Sequence, residues 1–157
     1  MLNLPTAQQL AQSIGTLLRR EVEAKAVPLP GPGKLIAGGL YHDGTGKAIA
    51  TVAVDLTLAA CSGAAFSLIP AEAALECVRN KALDETLQEN FAEVLNVMSR
   101  LFPSTTNDRV TLQTTYFAPT ALPAQATAAP VAPIKGAHFE VDIDGYAKGL
   151  ISLRLLA

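Results

Sequence analysis

Glu89, Glu93, Asn96 and Arg100 stand at i, i+4, i+7 and i+11 within one segment of the chain. At helical spacing they form a single polar line, roughly opposite Phe91, Val94 and Met98. Two carboxylates, a carboxamide and a guanidinium on one line could grip a charged partner. A solvated helix face has the same composition, and Asn96 and Arg100 can simply pair at i,i+4. Other chemistry-bearing residues are sparse. Cys61 and Cys77 lie in apolar neighbourhoods with no CxxC pair, which reads as two small buried thiols. His42 and His138 each stand alone, and neither has a partner at metal-ligand spacing. No GxSxG elbow marks a nucleophilic serine.

The polar line needs a helix to hold it, and the spacing predicts one over 84–101. Asp84 is its candidate N-cap, and Leu87, Phe91, Val94, Leu95, Met98, Leu101 and Phe102 form its apolar stripe. Pro103 stops it. A first amphipathic helix is predicted over 5–25, from Ala7, Leu10, Ile14, Leu17, Leu18 and Val22. The linker VPLPGPGK follows at 27–34. Strands are predicted at 35–42, 49–58 and 64–69, with Asp43-Gly44-Thr45-Gly46 turning the first into the second. Val52, Val54, Leu56 and Leu58 alternate with Thr51, Ala53, Asp55 and Thr57. A short helix is expected at 71–79 and a strand at 109–117. Residues 120–135 read as an Ala/Pro-rich loop, and a closing hairpin turns at Asp144-Gly145.

The order is helix, strands, helix, strands. It implies an α+β domain with an antiparallel-rich sheet, two long helices packed on one face, and a loose internal αβ repeat. The other sheet face, carrying Thr and Asp, is expected to stay wet or meet a partner. With 157 residues the chain suits one domain spanning 1–157. It has 12 basic and 14 acidic side chains, so the net charge of −2 argues against nucleic-acid binding through a positive face. No apolar run is long enough for a membrane span, and the N-terminus lacks the pattern of a secretory signal. A cytoplasmic location is the expectation.

Glu93-Val94-Leu95-Asn96 is an ExxN element, and 22 residues separate Asn96 from Pro119. This spacing resembles the ExxN-x22-P signature of the CheC/CheX family of chemotaxis phosphatases, which has relatives in the flagellar switch. The closing segment FEVDIDGYAKGLISLRLL also resembles the family's last hairpin. The likeness spans roughly 35–157. The predicted first helix carries no ExxN, so the chain is more similar to the single-site CheX branch than to two-site CheC.

The resemblance implies a CheC-like fold and hydrolysis of the phosphoaspartate of a CheY-like response regulator. Asn96 would orient the attacking water, and Glu93 would engage the regulator's active-site lysine. Glu89 and Arg100 would contact the partner, and Pro119 would shape the strand end beside the helix. The protein would need no cofactor of its own, because Mg²⁺ is carried by the receiver. Family members of the CheX type pair as homodimers. Glu89 stands where the family often has Asp or Ser. Leu95 and Arg100 are bulky, and on this reading they either crowd the docking face or select a different regulator. The alternative function is a non-catalytic CheC-like module that binds a receiver domain or a signalling or flagellar complex. A third reading is a structural domain in which the motif has no role.

Overall fold

A computed structural model of the chain describes residues 2–31, 33–103, 109–117 and 135–156. Four helices and six strands follow in the order α1 (Ala7–Leu18), β1 (Val22–Ala26), β2 (Leu35–His42), β3 (Ala48–Asp55), α2 (Leu56–Phe66), α3 (Ala71–Arg79), α4 (Glu85–Val97), β4 (Thr111–Phe117), β5 (Lys135–Ile143) and β6 (Gly149–Leu155). A one-turn 3-10 helix at Met98–Leu101 extends α4. The strands form one sheet in the order β1-β5-β6-β3-β2-β4, with every pair antiparallel. The expected α+β class with an antiparallel sheet is the class observed.

The strand order contains the loose repeat. Exchanging β1 with β4, β2 with β5 and β3 with β6 maps the sheet onto itself, about a pseudo-two-fold between β6 and β3. α1 precedes β1 as α4 precedes β4. α2 and α3 are inserted between the halves.

α2 packs over the centre of the sheet, with α1 towards β1 and α4 towards β4, while α3 lies against α2. The helix-facing row of the sheet includes Val52, Val54, Ile151, Leu153, Phe139 and Val141, all buried. Small residues set the spacing. Every residue of α2 from Leu58 to Ala65 is buried, and most are Ala, Gly, Ser or Cys. A Cβ on Gly149 of β6 would lie 2.5 Å from the Leu58 Cβ, so that glycine lets α2 descend onto the sheet.

Several predicted boundaries change. The helix expected over 5–25 ends at Leu18. Thr6 and Gln9 form a reciprocal capping box at its start, and Arg19 turns left-handed at φ 55° at its end. Val22, assigned to that helix by periodicity, begins β1, which pairs with β5. Arg20 secures the corner by stacking over Tyr146 at 5.0 Å and donating to the Asp144 carbonyl at 3.2 Å.

The strand expected over 49–58 stops at Asp55, whose carboxylate accepts from the Leu58 backbone N–H at 2.8 Å and caps α2. Leu56 and Leu58 therefore belong to a helix. The third strand expected at 64–69 is the end of α2 and the turn after it. The sheet's second face is not wet at its centre: Thr51 and Ser152 are fully buried and Arg154 is 1% exposed. His138 Nδ1 lies 2.8 Å from Ser152 Oγ there. No helix among the described residues is long and apolar enough to cross a membrane.

Candidate functional site on the outer face of α4

α4 is fixed at its start, its middle and its end. Asp84 Oδ1 accepts from the Leu87 N–H at 2.8 Å, the expected N-cap. Leu87, Phe91, Val94 and Leu95 form the buried stripe, as the spacing predicts. Against α2 the helices meet at Gly63. Asn90 Nδ2 donates to the Gly63 carbonyl at 3.1 Å, and a Cβ on Gly63 would lie 3.1 Å from the Leu87 carbonyl. Phe91 meets Phe117 of β4 edge-to-face at 6.0 Å. At the C-terminal end the buried Tyr41 hydroxyl donates to the Leu95 carbonyl. Burial pushes the Tyr41 phenol far above its ordinary pKa, so it stays a donor.

Glu89, Glu93 and Asn96 all emerge on the exposed side of this anchored helix. At i, i+4 and i+7 they share one face, and Glu93 and Asn96 are adjacent, with Cβ atoms about 5–6 Å apart. No hydrogen bond or ion pair to another described residue engages the side chains of Glu93 and Asn96. The two side chains are exposed and side by side on one face of α4.

The chain tightens from α-helix to 3-10 at Met98, so Arg100 lies on a different winding from Glu89, Glu93 and Asn96. It is exposed and lines a cleft of about 450 Å³ between α1 and the 3-10 turn, with Gln12, Ser13, Thr16, Leu17 and Met98. Leu95 does not crowd the exposed face of α4. Its side chain is fully buried and its carbonyl is taken by Tyr41, so its bulk fills core. Pro119 and residues 120–134 of the Ala/Pro-rich loop lie outside the described residues.

The sequence reading missed the contacts that immobilise the site. Neither Asn90 nor Tyr41 stood out by type or spacing. Gly63 within an alanine-rich segment was the available signal of close helix packing. Burial raises the Cys61 and Cys77 thiols, as expected for inert thiols, and no described group of three or more His, Cys, Asp or Glu could hold a metal.

No family model and no curated protein matches the chain. Solved structures do match. The FliM middle domain of Vibrio alginolyticus is similar at a TM-score of 0.58 and 12% identity, over 94% of this chain and 86% of that one. FliM in a FliM–SpeE complex from H. pylori is similar at 0.53 and 10% identity, over 95% and 80%. A CheC-like superfamily protein from Shewanella sp. PV-4 gives 0.45 and 13% identity, over 96% and 94%. The chain therefore shares the α+β fold of the middle domain of the flagellar protein FliM.

Proposed function

We propose that this protein is a CheX-like phosphatase that hydrolyses the phosphoaspartate of a CheY-like response regulator in chemotaxis or two-component signalling. The observation that carries this reading is the exposed Glu93–Asn96 pair, bonded to no other described residue, on a helix braced by Asp84, Gly63 and Tyr41. Acyl-phosphate hydrolysis has a loose transition state and needs little from a base, so positioning dominates. The Asn96 carboxamide, one turn from Glu93, holds the attacking water in line with the breaking P–O bond. The Glu93 carboxylate pairs with the regulator's active-site lysine and fixes the helix against the receiver. Mg²⁺ would be held by the receiver's own residues and would supply charge neutralisation there, so this chain contributes positioning alone. Glu89 extends the acidic contact by one turn, and Arg100 meets the partner at the cleft.

The test is phosphate release from a phosphorylated CheY-like receiver domain, with and without the protein. Wild type should accelerate it, and Asn96→Ala should return it to the receiver's unassisted rate. Equal rates for wild type and Asn96→Ala would remove Asn96 from the mechanism.

A second reading is a non-catalytic module that docks a receiver or a flagellar complex. It is favoured by the shared fold with FliM middle domains, one of which was crystallised with SpeE, and by Arg100, bulkier than the family's usual residue. Binding of a phosphorylated receiver without turnover is its signature.

A further inference from the structure

We propose that the cleft between α1 and the 3-10 turn is a binding site for a small amphipathic carboxylate, an apolar body ending in one carboxyl group. The cleft holds about 450 Å³, a size suited to a small molecule. Two local features of the chain open it. The tightening to 3-10 at Met98 brings Arg100 to the wall that faces α1. On that side α1 presents the short side chains of Ser13 and Thr16, which leave the gap unfilled. The rest of the lining is largely apolar. Leu17 and Val97 are half-buried, and Met98 and Leu101 are buried. The unbranched Met98 thioether adapts to apolar guests of different shape.

Charge decides what this lining accepts. Arg100 is its one charged residue, and its guanidinium makes no hydrogen bond or ion pair with another described residue. The other polar side chains there, Gln12, Ser13 and Thr16, are uncharged. Neither α1 nor the 3-10 turn contains an acidic residue. An unneutralised guanidinium beside an apolar lining selects an anion with an apolar body. The planar fork of a guanidinium matches the two oxygens of a carboxylate. One cation balances a monoanion, whereas a phosphate carries nearly two negative charges and finds no second cation in the cleft. The Ser13 and Thr16 hydroxyls and the Gln12 carboxamide are donors for the same oxygens. Glu89, Glu93 and Asn96 do not line the cleft, so the inference does not depend on the Asn96 reading. Arg100 is also a partner contact in the proposed function, so ligand and partner would compete for one guanidinium.

The test is NMR of the full chain with isotope-labelled methionine methyl groups. The chain has two methionines, Met98 lines the cleft, and Met98→Leu assigns its signal. Titration with octanoate should shift the Met98 methyl signal and saturate. Acetate, which has the head without the body, and inorganic phosphate should leave it in place. Arg100→Gln should weaken octanoate binding by about tenfold and leave octanol binding unchanged. Arg100→Glu should exchange the preference, so that octylammonium binds and octanoate does not. Both substitutions are at an exposed side chain, and circular dichroism verifies folding. Ser13→Phe fills the cleft and should abolish the octanoate shift. The absence of a saturating shift with octanoate, a shift that acetate or phosphate reproduces, or equal octanoate affinity in wild type and Arg100→Gln would overturn the proposal. No receiver is present in this experiment, so its outcome is separate from that of the phosphate-release assay.

Discussion

Asn96 and Leu95 are neighbours in sequence with opposite tasks. Asn96 is exposed and its carboxamide bonds to no other described residue, whereas Leu95 is buried and lends its carbonyl to Tyr41. A substitution at each residue therefore has a different readout. Asn96→Ala should keep the thermal midpoint and lose about 10²-fold or more of the acceleration of receiver dephosphorylation, because only water positioning is removed. Tyr41→Phe should leave the α4 face in place and lower unfolding free energy by about 1–2 kcal/mol in a denaturant titration, because a buried carbonyl loses its donor. The ExxN pair was legible in the sequence because helical periodicity fixes which way i and i+3 point. The 3-10 winding at Arg100 was not, since nothing in Val97-Met98-Ser99-Arg100 announces the tightening.

The helices differ in how openly their sequences state them. α4 has a cap, a clear apolar stripe and a stop, so its position was readable. α2 was read as strand because it is buried all round and lacks an amphipathic stripe, and buried helix and buried strand look alike in a short apolar run. β1 was absorbed into the first helix because Val22 continues its spacing, while the left-handed residue that ends α1 is Arg19, not a glycine. Two predictions belong to these elements. Asp84→Ala removes the α4 cap and should cost about 1 kcal/mol in the same titration. Gly63→Val drives side-chain atoms towards the Leu87 carbonyl, so it should push α4 off α2 and destabilise by about 1–3 kcal/mol.

For the whole molecule, the pseudo-two-fold makes β1 and β4 the two ends of one sheet and places α1 and α4 in equivalent positions in the two halves. The order of helix and strand signals made the repeat legible. The pairing did not follow from it, because strand order depends on contacts between β5, β6 and β3 that are distant in sequence. Burial at the centre of both faces gives stability a pH signature. Desolvation, with a smaller contribution from Arg154, lowers the His138 pKa below 6.5, so the folded state binds the proton less well than the unfolded chain. Stability should accordingly fall as pH drops through about 6.5 towards the folded-state value, and His138→Gln should flatten that slope in thermal melts.

The most direct measurement is phosphate release from a phosphorylated CheY-like receiver, with wild type and Asn96→Ala side by side at matched, folded concentrations. The account predicts acceleration by wild type and the receiver's unassisted rate with Asn96→Ala. Acceleration that survives the loss of the carboxamide, or none with wild type, would contradict it.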